Sequence, residues 1–395
     1  MKQYINYIFI ILFVTLFLSC KTKEKGLKLV KTDDISFNLG MKPSYRCNGT
    51  YFDSETGKDM FYYTDHSTNK CIKIFDTDFN LTNVVKLDSI PDRRLIRGLQ
   101  IVNRDIIVII GGYHPVEFIY VVNFEGKVIK SIELKSLIEA DTNDIQLDNP
   151  SRDVDFYSNG KVYLKYEFNS KNYFDDYSYN KILHADSMVM NYPFMVSIPF
   201  DTVPHTYQKL FDNINKENYN YGYAIDDYAC YSIVNGKLFM PIGHNSKLYI
   251  ADLKTNEIEK ILNISSKYTQ TGFNIEEYKY SIENHHDLKL DEHIRFHSIA
   301  GGFSSIVWDK YRKVYYLVIH HSNPDFDSKK GPYFAKTFSI QILDESFNKK
   351  GETKFLTEDY WQFDTRVSPK GLLIQKRGED YDKNIQKYTL FTISD

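Results

Sequence analysis

The sequence predicts an all-β fold, a six-bladed β-propeller, and three observations lead to that prediction. Short alternating or wholly apolar runs rich in Ile, Val, Tyr and Phe follow one another along the chain, separated by turn residues. An apolar strand that follows a turn recurs six times, at intervals of about 45 to 75 residues. The two ends of the chain carry complementary parts of one blade.

The recurring apolar strand is short, and two of its copies follow an Asn-Gly-Lys turn. The six copies are residues 60–63, 106–110, 162–164, 238–240, 314–318 and 372–374. A radial repeat of small sheets accommodates such a pattern and leaves only short sheet edges. Because the spacing is irregular, a seventh blade is an open alternative, and a pair of two-sheet β-sandwiches is the competing architecture.

A later strand of several units ends on an acid or an asparagine. Asp76, Asn123, Asp252 and Asp344 hold this position. Such a side chain can accept hydrogen bonds from backbone amides just after it, which starts a turn. We therefore predict a tight turn into the next strand at each of these four residues.

The chain ends supply the evidence for ring closure. The chain stops just after the strand 388–392, which leaves the last blade one strand short, and an unpaired strand lies at 27–37. Pairing the two would close the ring and remove two exposed edges. Two stretches, 206–218 and 274–284, have weaker strand character, and we expect them to be inter-blade insertions that form short helices or long loops on one rim.

The first residues look like an export leader. One cation, Lys2, precedes about 15 mostly apolar residues, and Ser19 precedes Cys20. The apolar run is shorter than the roughly 20 residues of a membrane span and suits a signal peptide. The leader resembles those of bacterial lipoproteins, although Phe17 stands where leucine is common. This resemblance implies cleavage before Cys20 and acylation of that cysteine; an uncleaved anchor is the alternative.

These features divide the chain into a signal peptide (1–19), a polar tether (20–26) and a propeller domain (27–395). The expected location is the bacterial cell envelope, lipid-anchored at the outer membrane, with the periplasmic or surface face left open. The run 308–316, Trp-Asp-Lys-Tyr-Arg-Lys-Val-Tyr-Tyr, resembles a segment of an uncharacterised lipoprotein family of Bacteroidota with a propeller-like domain. That resemblance implies a fold and a compartment, but no activity.

Composition and motifs exclude several functions. The net charge is −3, whereas nucleic-acid binding needs clustered excess base. Three cysteines follow Cys20, namely Cys47, Cys71 and Cys230; their spacing fits no zinc pattern, and we interpret them as small apolar strand residues. The chain has no sialidase-type box, no tryptophan-aspartate series and no Gly-x-Ser-x-Gly elbow. We therefore predict no catalytic residue, metal or cofactor.

An anion-binding funnel is the main site hypothesis. Five of the six units carry an arginine near the start of the presumed innermost strand: Arg46, Arg97, Arg152, Arg295 and Arg366. If these strands line the axis, the guanidinium groups converge, with His297 beside them, and can bind carboxylate, phosphate or sulfate. The alternative is that each arginine pairs with a local acid, such as Asp153 or Asp364, or faces solvent.

Histidines provide a second, weaker candidate site. On a strand, Asp291, His293, Arg295 and His297 would share one face. Imidazole and carboxylate can bind zinc or transfer protons, but the fixed charge of Arg295 argues against a metal. The pair His320–His321 is expected to be exposed.

The sequence thus favours a non-enzymatic module that binds an anionic small molecule, a glycan or a protein. An enzyme acting on a glycan or another anionic polymer is one alternative, and a structural subunit of an envelope complex is another. A close pair of inward carboxylates would favour the enzyme, and a broad apolar patch would favour the structural subunit.

The leader yields a direct test. Changing Cys20→Ala should leave the protein without lipid and release it from the membrane fraction, because the acyl chains provide the binding energy, about 0.8 kcal/mol per buried CH2. Metabolic labelling with a fatty-acid probe measures this. Replacement of Cys230, a matched cysteine outside the leader, should leave labelling unchanged, and undiminished label in Cys20→Ala would rule the assignment out.

Overall fold

The computed structural model describes residues 26–65, 70–91, 96–112, 117–134, 145–148, 155–168, 195–200, 208–211, 231–241, 247–269, 302–322, 337–377 and 384–394. These residues form six antiparallel sheets arranged as the blades of a β-propeller, and none of them is helical. The predicted fold class and the count of six are confirmed, whereas the sandwich alternative is wrong.

Five blades take their strands in chain order from the axis outward, and the sixth takes three strands in that order and then the N-terminal strand at its outer edge. The N-terminal strand is β1 (Lys28–Asn38). Blade 1 contains β2 (Pro43–Asp53), β3 (Lys58–Asp65), β4 (Cys71–Phe75) and β5 (Leu81–Lys86). Blade 2 contains β6 (Ile96–Ile101), β7 (Ile107–Gly111), β8 (Phe118–Val122) and β9 (Val128–Glu133). Blade 3 contains β10 (Ile145–Asp148), β11 (Tyr157–Ser158), β12 (Lys161–Phe168), β13 (Met195–Pro199) and β14 (Gln208–Leu210).

The second half of the ring repeats the pattern. Blade 4 contains β15 (Ser232–Val234), β16 (Lys237–Pro241), β17 (Lys247–Asp252) and β18 (Glu257–Asn263). Blade 5 contains β19 (Gly302–Asp309), β20 (Val314–His320), β21 (Thr337–Asp344) and β22 (Lys349–Leu356). Blade 6 contains β23 (Tyr360–Ser368), β24 (Gly371–Lys376) and β25 (Ile385–Ser394), followed by β1 as its outermost strand.

The apolar core lies between the blades. Six clusters of buried side chains form, and each draws its members from two adjacent blades. The sixth joins blade 6 to blade 1 and includes Leu373 and Tyr388 packed with Phe61 and Phe75. Every sheet therefore buries both of its faces, which explains why the middle strands are apolar runs rather than alternating ones.

Strand β1 closes the ring as predicted. It pairs antiparallel with β25, from Lys28 opposite Ser394 to Asn38 opposite Ile385. Its apolar residues enter both neighbouring cores, since Leu29 joins the cluster between blades 5 and 6 and Phe37 packs against the one between blades 6 and 1.

The predicted turns at acids and asparagine are confirmed. Asp76 Oδ1 accepts hydrogen bonds from the amides of Asp78 (2.9 Å) and Asn80 (2.8 Å). Asn123, Asp252 and Asp344 each accept two backbone amides in the same way. The turn also needs a left-handed residue. Gly126 takes this position in blade 2 with φ 77°, where a Cβ atom would lie 1.9 Å from the carbonyl oxygen of Lys86.

The run 308–316 forms the hairpin between the two inner strands of blade 5. Asp309 is fully buried and accepts the amides of Tyr311 and Arg312, both at 3.0 Å, as well as the Arg312 guanidinium at 2.9 Å. Arg312 also donates to the carbonyl oxygens of Ser368 and Pro369 in blade 6. The motif therefore fixes a turn and joins two blades.

The structure corrects one of the remaining sequence predictions, and several others concern residues that it does not describe. Within 206–218, residues Gln208–Leu210 form a strand of blade 3, so this part belongs to a blade; the other residues except 211 lie outside the described residues, as do 274–284 and the leader and tether before residue 26. Cys47 and Cys71 lie within strands β2 and β4 of blade 1, and neither forms a disulfide with another described residue. No helix in the part of the chain that the structure describes is long and apolar enough to cross a membrane.

Removal of β1 tests the closure. A chain starting at Gly40 should aggregate or melt about 10 °C or more below the intact protein, because several apolar side chains worth about 1.5–3 kcal/mol each lose their burial and β25 becomes an open edge. Thermal unfolding followed by circular dichroism measures this. A chain starting at Gly26 is the matched control and should melt normally; equal melting of both truncations would contradict the role of β1.

Candidate functional site

A cavity of about 240 Å³ lies where the innermost strands of all six blades meet. Its lining residues are 48–50 and 62 of blade 1, 98–99 of blade 2, 155–156 of blade 3, 232–235 of blade 4, 306–308 of blade 5 and 365–367 of blade 6. Because every blade contributes, this is the axial cavity of the propeller, the place where concave ligand sites are expected.

The innermost strands are irregular near the cavity. In blade 6, β23 advances from Trp361 to Thr365 while its partner strand advances by one residue, and blade 1 has a similar excursion between Pro43 and Asn48. Blades 2 and 5 have smaller register shifts, and in blade 3 the inner edge is divided between β10 and β11. Such bulges turn side chains away from regular alternation and often lie beside binding sites.

Arg366 lines the cavity but is held by the protein. It is 4% exposed, and its Nε donates to Asp364 Oδ1 at 2.7 Å. Its Nη1 donates to the carbonyl oxygen of Gly49 at 3.0 Å, and its Nη2 donates to Asn48 Oδ1. The guanidinium also lies 4.6 Å from the ring centre of Tyr63. These bonds connect blade 6 to blade 1 and neutralise the arginine.

Asp364, the acid partner of Arg366, is also held by hydrogen bonds. Asp364 Oδ2 accepts the hydroxyl of Tyr388 at 2.6 Å, and that hydroxyl lies 3.2 Å from the hydroxyl of Tyr63. Burial raises the pKa of Tyr388 far above its ordinary value, so the phenol stays a hydrogen-bond donor. Arg366, Asp364 and the two tyrosines therefore form one charge-balanced network across the interface that closes the ring.

Asp155 differs from Arg366, because no residue that the structure describes forms an ion pair with it. It faces the cavity, and its backbone forms a bridge with Ile233 of blade 4. The next two amides, of Phe156 and Tyr157, both donate to Gln100 Oε1 of blade 2 at 2.8 Å. Asp155 is exposed to solvent through the cavity. The protein around the cavity partly desolvates its carboxyl, and this desolvation raises the pKa of Asp155 from 3.8 to about 7.

The structure describes the side chains of only two of the five predicted arginines, Arg97 and Arg366. Arg97 donates from Nε to the carbonyl oxygen of Gly112 at 3.1 Å and is not among the described residues that line the cavity. For Arg366 the alternative of a local pair with Asp364 is the correct one. Arg46 belongs to β2, but its side chain is outside the described residues. The residues that lie wholly outside them are Arg152, Arg295, His297 and Cys20.

The histidine predictions need one correction. His321 is 2% exposed rather than open to solvent, and its Nδ1 lies 2.6 Å from the hydroxyl of Thr337. Burial lowers its pKa to about 4. The ring of His320 packs 5.2 Å from that of Phe363. The face containing Asp291 and His293 lies outside the described residues, and among those described no group of three His, Cys, Asp or Glu could hold a metal ion.

Sequence reasoning missed Asp155 and Trp308 as cavity residues. Asp155 stands in a polar stretch beside Asp153 and belongs to no motif. Trp308 belongs to the run 308–316, which indicates a fold and not a cavity residue. Both reach the axis through the paths of the innermost strands, which local residue pattern does not specify.

Comparison with known proteins supports the fold and supplies no activity. No protein-family model and no curated protein matches the chain. A crystal structure of a member of the DUF4221 family from Bacteroides vulgatus is similar, with 18% identity, a TM-score of 0.66, and coverage of 94% of this chain and 100% of that chain. A Bacteroides caccae protein of unknown function aligns over 78% of this chain and 81% of that chain, with 11% identity and a TM-score of 0.35, too low to carry an argument.

The similarity to the Bacteroides vulgatus protein is one of fold. It agrees with the propeller-like architecture that the run 308–316 implied. The lipoprotein character of the chain is not tested by this comparison and stays a prediction.

The role of Arg366 can be measured by a double-mutant cycle. Arg366→Leu leaves Asp364 buried without its cation and should cost about 3–5 kcal/mol, whereas the pair Arg366→Leu and Asp364→Leu should cost clearly less. Urea unfolding gives these free energies. Lys370→Ala, which removes a solvent-exposed pair with Asp78, is the control and should cost about 0–1 kcal/mol. An effect of Arg366→Leu no larger than the control would contradict the structural role.

Proposed function

We propose that this chain is a non-enzymatic binding propeller that holds a small polar ligand in its axial cavity. One observation carries the proposal: six blades converge on one cavity. Its described lining combines the Asp155 carboxyl, hydroxyl and amide groups, and aromatic rings. The volume of about 240 Å³ is below the roughly 300–1,000 Å³ of drug-sized sites, so the ligand is small.

The balance of charge favours binding over catalysis. Asp155, with its pKa of about 7, has the acidity of a general acid. A glycosidase needs a second carboxylate at a defined separation. Asp364, the acid beside the cavity-lining Arg366, is held by Arg366 and Tyr388. The enzyme hypothesis stays a prediction, because the described lining of the cavity has no carboxylate besides that of Asp155.

A structural role in an envelope complex has less support. The exposed large apolar side chains of the described residues include members of the outermost strands of five blades, for example Val30, Leu81, Ile129, Ile261 and Leu356. Because one or two occur per blade, they are scattered around the rim. A docking face would instead concentrate apolar residues in one patch.

The anion-binding form of the hypothesis stays a prediction. Arg366 is neutralised by Asp364 and therefore contributes little net attraction for an anion. The hypothesis now depends on Arg46, Arg152, Arg295 and His297, whose side chains lie outside the described residues. Binding of that kind would weaken with salt, because exposed charges are screened over about 8 Å at physiological ionic strength.

We also propose that the propeller is carried on a membrane by lipid on Cys20. The leader and the polar tether support this, and the Cys20→Ala labelling experiment tests it. The first described strand, β1, is the outermost strand of blade 6, so the tether joins the fold at its rim and not at the axis. Anchoring there leaves the axial cavity separate from the point of attachment.

Filling the cavity tests the binding function. Thr50 is an exposed lining residue of β2, and Thr50→Trp should remove binding of any axial ligand, because the indole takes up the space. A library of small polar compounds screened by ligand-observed NMR provides the readout. Val84→Trp on the outermost strand of the same blade is the matched control and should keep the same ligands. Ligands that bind Thr50→Trp as well as they bind the natural protein would contradict the axial site.

A further inference from the structure

We propose that the ligand of the axial cavity is a small organic cation whose ammonium group lies against the Asp155 carboxylate. The inference rests on the proposed axial binding function and names its ligand class. The proposed ligand has the opposite charge to the one expected for the anion-binding funnel. The proposal follows from the charges, aromatic rings and polar groups that the fold brings to the axis.

The charges of the described lining residues favour a cation. Among the described lining residues, the charged side chains are Asp155 and Arg366. Arg366 is balanced by its 2.7 Å ion pair with Asp364. The described residues of the cavity and its immediate network therefore carry one net negative charge, which belongs to Asp155 when it is ionised.

The surroundings of Asp155 also favour a bound cation. Burial alone raises its pKa, with no contribution from a neighbouring charge. Ser232 and Asn235 of blade 4, Asn48 of blade 1 and Thr365 of blade 6 contribute neutral polar groups to the same lining. A partly desolvated carboxylate with no counter-ion among the described residues is unfavourable, and a bound cation would reduce that cost.

The aromatic residues of the cavity lining suit a cation as well. Tyr62 from blade 1, Phe156 from blade 3 and Trp308 from blade 5 line the cavity from different directions. The Tyr62 hydroxyl donates to the carbonyl oxygen of Leu99 at 2.9 Å, which fixes the ring. Aromatic faces attract cations, and aromatic groups around an ammonium are a known way to recognise amines. A carboxylate with aromatic neighbours suits an ammonium better than a sulfate or phosphate.

The pH dependence follows from the carboxyl. Tyr62 and Arg366 are the other ionisable side chains of the described lining, and Arg366 keeps its charge throughout the relevant range. A cation needs ionised Asp155, so affinity should be full above about pH 8 and fall as the pH drops through about 7 and Asp155 gains its proton. The free protein should behave oppositely, losing stability as pH rises from about 4 to about 7, because the folded state holds this proton more tightly than the unfolded chain.

Calorimetric titration of the purified full-length protein with choline tests the proposal. We expect choline to bind at about pH 8.5 and to bind about thirtyfold more weakly at about pH 5.5, the factor by which the ionised fraction of a group with a pKa of about 7 falls. The uncharged isostere 3,3-dimethylbutan-1-ol has the same shape and should bind at least tenfold more weakly than choline at the higher pH. Sulfate should not compete.

Asp155→Asn should lose choline binding, and it should melt at a higher temperature than the natural protein at pH 8.5, because it removes a partly desolvated charge. Asp105→Asn is the control, since Asp105 is exposed in a turn of blade 2 outside the cavity. Should Asp155→Asn fail to fold, the pH dependence of the natural protein still decides the question.

Three results would overturn the cation site: undiminished choline binding in Asp155→Asn, equal binding of the neutral isostere, or no choline binding at millimolar concentration. If another compound still binds in a manner that Thr50→Trp abolishes, the axial binding function stands and the cation assignment alone fails. If nothing binds the cavity at all, both fail.

Discussion

The structure depends on sheets that are apolar on both faces. Each blade packs one face against the blade before it and the other against the blade after it, so no sheet is stable alone and the ring must close. Burial of a large apolar side chain contributes about 1.5–3 kcal/mol. The six interfaces together therefore hold the innermost strands in position, and the axial cavity is the space that these strands cannot fill.

Polar groups then specify how the blades fit together. At the interface that closes the ring, Arg366 and Asp364 are joined to Asn48 and Gly49 of blade 1 through directed hydrogen bonds. Gln100 does the same between blades 2 and 3 through three bonds to the segment beside Asp155. Apolar packing provides most of the stability, while these buried polar contacts select one register, and the position of Asp155 depends on them.

Local patterns predicted the parts of the fold that depend on local physics. The apolar runs located the second strand of every blade, the turns at Asp76 and Asp344 followed from side-chain to backbone bonding, and the complementary ends predicted closure by β1. The site was harder to predict. Between Trp361 and Thr365 the innermost strand leaves its register, so alternation along the sequence does not tell which side chains reach the axis. Arg366 therefore looked like a ligand residue although it joins two blades, and Asp155 carried no recognisable pattern.

The pairing of β1 with β25 has a consequence for the order of events during biogenesis. Strand β1 leaves the ribosome before the other described strands and finds its partner only after the last of them, β25, has been synthesised. Until then, blade 1 has an uncovered apolar face and the growing chain has an open edge, both of which favour aggregation. Contacts between residues so distant in sequence also form slowly. A chain of this design is best kept unfolded until β25 is available to pair with β1, since the ring can close only then.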